Sequence, residues 1–212
     1  MPEYTPKSYF EEKIAQKLVA KPETSKAVNS VYEFNITGVR ATLTYTEDAR
    51  AAYFASHGYA FALVDVRGRG NSAGDFEPFA NDARDGHDIV EWFAKQPFCD
   101  GKVAMWGGSY AGFDQWATAK ELPPHLTTIV PAAAAHPGLD FPFTNNVGIP
   151  YDMQWFTDTS GRASQQNLFG DSTFWRTKFL DAYKQYLPFK TLDSFIGNPS
   201  ANFQRVIGHP MV

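Results

Sequence analysis

Residues 102–112 read KVAMWGGSYAG. KVAMW is a short apolar run of the kind a sheet buries, GGS turns sharply, and FDQWATAK at 113–120 continues at helical spacing. A serine two residues after a glycine, between a buried strand and a helix, fits a nucleophile elbow, where a strained turn lifts the hydroxyl above the sheet. Gly107 stands two before Ser109, where a side chain would strike adjoining backbone, and Gly108 and Gly112 keep the turn small. Ala111 stands where the strict G-x-S-x-G pattern asks for glycine. The Tyr110 N–H, at a helix start, would point to where an oxyanion develops. The alternative reading is a glycine-rich strand-to-helix turn in which Ser109 merely caps the helix.

Working outward, residues 59–66 (YAFALVDV) form a nearly continuous apolar run, which predicts a strand buried on both faces of a parallel sheet. A helix over 48–57 precedes it, with Gly58 placed for a left-handed cap. Weaker strands are expected at 31–36 and 41–46, and an amphipathic helix at 7–20 on Phe10, Ile14 and Leu18. Asn81 or Asp82 can start a helix that runs to about Gln96 before Pro97, and 126–135 reads as a further strand. Strands alternating with helices at short connections give an α/β class, a mostly parallel sheet flanked by helices. After Pro137 the pattern turns helical and aromatic. A helix over 171–186 carries Trp175, Phe179, Ala182 or Tyr183, and Tyr186 on one stripe. The expected division is therefore a sheet core at 1–137 and a helical cap region at 138–212.

Composition narrows the function classes. The chain has 212 residues, a net charge of −4, 43% hydrophobic and 20% charged residues, which is a core-forming globular composition. Cys99, the one cysteine, excludes an internal disulfide, and with no Cys/His cluster there is no metal site to expect. The absence of a basic run argues against nucleic acid. No apolar stretch is long enough to span a membrane, and Glu11, Glu12 and Lys13 sit where a signal peptide needs apolar residues, so a cytoplasmic location is expected. The loop GRGNSAG at 68–74 invites a dinucleotide reading, but residues 75–79 separate it from the next helix, and Arg67 or Asp65 reads as part of local ion pairing. No cofactor is expected. Among the histidines at 57, 87, 125, 136 and 209, only His136 follows a strand that could bring it near Ser109, and His209 is nearly terminal.

The run GYAFALVDVRGRGNSAGDFEPF, with DARDGHDIVEWFAKQPFCDGKVAMWGGSYAGFDQWATA and PPHLTTIVP after it, resembles the cocaine esterase and X-Pro dipeptidyl-peptidase family of serine hydrolases, the CocE/NonD type. That family writes its elbow with tyrosine after the serine and glycine three after it, as Ser109, Tyr110 and Gly112 stand here. The resemblance implies an α/β-hydrolase fold with a helical cap, Ser109 as nucleophile, the Tyr110 amide as one oxyanion donor and a tyrosine hydroxyl as the second, for which Tyr45 lies in a suitable region. It also implies that the catalytic Asp and His follow the cap, and that a C-terminal jelly roll follows them, beyond the residues present. The expected function is hydrolysis of a small-molecule ester or amide through an acyl-enzyme, with little activity from this chain alone. The competing expectations are a non-catalytic fragment or pseudoenzyme that self-associates through exposed aromatic surface, and a nucleotide-binding α/β domain.

Overall fold

The computed structural model describes residues 31–36, 39–44 and 49–209, with side chains from residue 53 onward. The helix expected at 7–20 and the proposed donor Tyr45 lie outside the described residues. Strands β1 (Val31–Ile36) and β2 (Val39–Thr44) pair antiparallel, with Ile36 opposite Val39. Helix α1 (Ala49–Ser56) follows and ends as expected, with Gly58 at a φ of 83°. Strand β3 (Leu63–Val64) then pairs antiparallel with β2.

The long buried strand expected at 59–66 is not found. Only two residues pair, and Leu63 and Val64 are 39% and 37% exposed. Apolar content marks a segment suited to being covered on both faces, but coverage needs neighbours. Here β2 lies on one side and, among the described residues, no strand lies on the other.

The parallel unit is α2 (Asp82–Ala94), β4 (Val103–Gly108), α3 (Tyr110–Lys120) and β5 (Leu126–Ala132). Strands β4 and β5 pair parallel across α3, with Trp106 beside Val130, and form a sheet of their own. A single expected sheet is thus two among these strands. Strand β5 stops at Ala132, short of the expected 135, because Ala133 turns to a φ of 44°. Helices α2 and α3 pack closely at Gly86, where an added methyl would lie 1.8 Å from Thr118 Oγ1. Buried Gln115 fixes α3 on the strands, donating to the Gly107 carbonyl at 3.1 Å and accepting the Val130 N–H at 2.9 Å.

Beyond Pro137 come a small hairpin, β6 (Phe143–Thr144) and β7 (Val147–Gly148), then α4 (Pro150–Asp158), α5 (Gln166–Phe169), α6 (Ser172–Lys184), α7 (Leu192–Ile196) and α8 (Ala201–Gly208). Asp171 caps α6 by accepting the Phe174 N–H at 2.9 Å. Trp175 and Ala182 face inward on α6, but Tyr183 and Tyr186 are 78% and 90% exposed. The predicted stripe runs through Ala182 rather than Tyr183 and stops before Tyr186, because the helix ends at Lys184 and Tyr186 takes a φ of 53°. The main apolar core joins Phe141, Met153, Phe156, Ala182, Leu192, Phe203 and Val206 to Phe79, which comes from the loop before α2. That shared Phe79 ties the C-terminal helices to the parallel unit.

Two arginines close the same seam. Arg69 donates to the carbonyls of Thr159 and Gly161, and to Ser164 Oγ at 3.1 Å. In return Arg162 reaches the carbonyls of Ser72 and Gly74, and its own carbonyl takes the Gly70 N–H at 2.8 Å. The glycine-rich loop is therefore a clasp. Helix α2 starts at Asp82, so no helix N-terminus meets this loop, which is what a dinucleotide site requires. Arg67 forms the local ion pair anticipated for it, forking onto Asp85.

Candidate active site at the turn between β4 and α3

Ser109 has φ 58° and ψ −120°, a conformation that a residue with a side chain adopts only at a cost of about 1–3 kcal/mol. Its surroundings hold it there. The Ser109 N–H donates to the Ala132 carbonyl at 2.9 Å, and its carbonyl accepts from Gly112 and Phe113 of α3 and from Ala135. The hydroxyl makes no capping bond to α3, so the helix-cap reading of Ser109 does not hold. Ser109 is exposed and lines a cavity of about 290 Å³ together with Tyr110, Ala133 to Ala135, Phe141, Tyr151, Asp152 and Trp155.

The small residues have specific neighbours. An added methyl on Gly107 would lie 2.7 Å from the Ala111 Cβ, so it is the Ala111 side chain, more than backbone, that requires a glycine there. On Gly112 it would lie 2.9 Å from Ala134 Cα and Cβ. On Gly108 the clash is milder, 3.3 Å from the Ala132 carbonyl oxygen. The alanine run after β5, which weakens that strand as a sequence signal, is the wall against which the turn packs.

Tyr110 is the first residue of α3, so its N–H is among those a helix leaves without an intrahelical acceptor. Its ring packs between Phe79 and Trp155, with centroids 5.0 and 5.8 Å away. The phenol accepts the Phe79 N–H at 2.9 Å and donates to both oxygens of Asp82 at 3.0 Å. Burial, then the carboxylates of Asp82 and Asp114, hold its pKa well above the ordinary phenol value.

Two acidic features escaped the sequence reading. Asp152 in the first turn of α4 reads as an ordinary complement to the helix dipole. In the fold it is buried in the cavity wall, its Oδ2 has no hydrogen-bond partner, and burial pushes its pKa up to about 7 despite a bond from the Ile149 backbone. Asp82 and Asp114 meet behind Tyr110, and nothing in their spacing, 32 positions apart on different helices, announces it.

None of the five histidines lines the cavity. His57 is bonded to the Tyr53 carbonyl, His87 to Asp88, and His125 to Glu91 at 2.8 Å. His136 is exposed, its ring against the Pro137 carbonyl, and His209 follows the last helix. Among the described residues no cluster of His, Cys, Asp or Glu is arranged to hold a metal, and no helix is long and apolar enough to cross a membrane.

A family model for X-Pro dipeptidyl-peptidases of the S15 family matches residues 4–188. The chain belongs to this family. Among curated S15-like relatives, the cocaine esterase of Rhodococcus sp. (strain MB1 Bresler) is 37% identical over 90 residues, which are 42% of this chain and 16% of that one. A putative serine esterase of Mycobacterium bovis is 34% identical over 136 residues, 61% of this chain and 21% of that one. A solved α-amino acid ester hydrolase overlays 65% of the chain and 30% of its own with a TM-score of 0.52 at 21% identity. An aminopeptidase from a Thaumarchaeota archaeon overlays 88% of the chain and 39% of its own with a TM-score of 0.61 at 18% identity. The S15 chain thus spans about a fifth or less of these curated relatives and carries part of the α/β-hydrolase fold of the solved ones. The family to which the chain belongs is one of hydrolases.

Proposed function

We propose that Ser109 is the nucleophile of an acyl transfer that hydrolyses a small-molecule ester or amide. The observation that carries this reading is the exposed serine held at φ 58° and ψ −120° over a cavity, since such a strained turn persists only where its surroundings enforce it. The hydroxyl attacks the substrate carbonyl as a base takes its proton, the oxyanion accepts the Tyr110 N–H, the leaving group departs protonated, and water releases the acid. Tyr45 is the proposed second donor, residues 138–212 the proposed cap. The base and its orienting carboxylate are proposed to lie outside these 212 residues. Support comes from the small share of its relatives that the chain spans and from the absence of any histidine in the cavity wall.

A serine triad without its histidine loses on the order of 10⁶ in turnover, so the chain alone is expected to hydrolyse p-nitrophenyl acetate barely above background. The nucleophile is tested by prolonged exposure to a fluorophosphonate and mass spectrometry: slow modification at Ser109, lost in S109A, is the expected result, slow because no base in this chain activates the hydroxyl. Modification elsewhere would overturn the nucleophile, and turnover at the rate of an intact enzyme would overturn the placing of the base outside these residues.

Asp152 favours substrates that carry a positive amine, because an ammonium would supply the partner its buried oxygen lacks. This agrees with the names of the two solved relatives. Amino-acid esters should protect Ser109 from labelling more than neutral esters of the same size, and D152N should abolish the difference.

One observation favours the non-catalytic reading as well. Trp106 and Val130 lie side by side on β4 and β5 and are 46% and 51% exposed, on a two-stranded sheet whose strands carry no charge. A second copy of the chain is the proposed occupant of that face. Self-association together with an unreactive Ser109 would favour it over the enzyme.

A further inference from the structure

The Tyr110 phenol ends on a pair of acids. It donates to Asp82, at the start of α2, and the carboxyl of Asp114 on α3 lies beside Asp82. Asp114 Oδ1 is sealed from solvent and has no donor to accept from, as befits a carboxyl oxygen that itself carries a proton. Among the described residues no ion pair joins a cation to either acid. Asp85 on α2 adds a further negative charge, and Arg67, the cation nearest to it, is spent in a fork on Asp85. Arg205 of α8 reaches this region only to donate to the Pro78 carbonyl. Two touching carboxyls without a cation cannot both ionise near neutrality.

We propose that Asp82 and Asp114 hold one proton between them and, through the Tyr110 phenol, act as positioning residues for the Tyr110 amide in the reaction at Ser109. The proposal rests on the reading of Ser109 as nucleophile. Asp114 keeps the proton and gives it to Asp82 as a hydrogen bond, which leaves Asp82 a carboxylate able to accept the phenol. The phenol also accepts the Phe79 N–H, so the first turn of α3 is tied to α2 and to the loop before it. Burial and the adjacent carboxylate push the Asp114 pKa up to about 9, with Asp82 raised as well. Above that range two negative charges face each other and the anchor under the amide loosens.

The test is a titration of the full chain from pH 5 to 10, with the aspartate carboxyls labelled with ¹³C and the tyrosine amides with ¹⁵N, read by NMR. One aspartate should stay protonated at pH 7, ionise near pH 9 and be missing from D114N. The Tyr110 amide should shift with the same midpoint in the wild type and stay flat in D114N. In Y110F the carboxyl step should persist while the amide at 110 no longer follows it, a result that a merely structural acid pair would not give. If D114N does not fold, D82N is read by its Tyr110 amide, which should no longer follow the titration of Asp114, and the wild-type titration needs no variant. Absence of any aspartate titrating above pH 8, or a Tyr110 amide indifferent to the step, overturns the proposal. Failure of a fluorophosphonate to label Ser109 while the coupled titration is intact overturns the nucleophile reading alone.

Discussion

Ala111 occupies the space that the strict elbow pattern leaves to glycine, and Gly107 makes room for it. G107A should cost about 1–3 kcal/mol by overpacking, and A111G should recover most of that loss in the double variant, measured by urea denaturation. The sequence made Gly107, Ser109 and Tyr110 legible because each serves the turn through its own backbone, and backbone demands leave a local signature. Asp152 was illegible because its meaning comes from burial by residues distant in sequence. Its raised pKa sets a sign: an acid that holds its proton more tightly when folded stabilises the chain fully below about pH 4 and loses that contribution as pH rises to about 7. D152N should make the thermal stability profile less steep between about pH 4 and 7, while the contribution of Asp114, whose pKa is raised to about 9, still falls across the whole range from about pH 4 to 9.

Helix α2 carries a glycine at its middle, where alanine would ordinarily stabilise by about 1 kcal/mol. At Gly86 the sign reverses, because the methyl would fall 1.8 Å from Thr118 Oγ1 and 3.0 Å from its Cβ on α3. G86A should lower the denaturation midpoint, and T118A should restore part of it. Elements with self-contained signals were legible: α2, β4, α3 and the start of α6 stand close to where their spacing puts them. The 59–66 strand was misjudged because apolar content reports what a segment could bury, while pairing depends on strands elsewhere. The clasp has an element-scale consequence too. R69A removes three bonds between loop 68–74 and residues 159–164, and limited proteolysis should then cut near Gly161 faster than in the wild type.

At the scale of the molecule, the chain splits into a well-filled helical side and a thinly covered sheet side. Met153, Phe156, Phe203 and Val206 are almost wholly buried, whereas Trp106, Val130, Leu63 and Val64 are not. Composition foretold a core but not its place, since it counts apolar residues without saying which of them meet. Sedimentation should find dimers or larger species of the chain, and W106E should shift them toward monomer. Whole-chain stability also bears on the choice of residue at 109. Glycine there would adopt φ 58° without strain, and even after about 0.5–1 kcal/mol of added unfolded-state entropy S109G should melt a few degrees above S109A. By stability alone glycine is the better residue at this site, and the strain that serine carries there is the cost set against its proposed role as nucleophile.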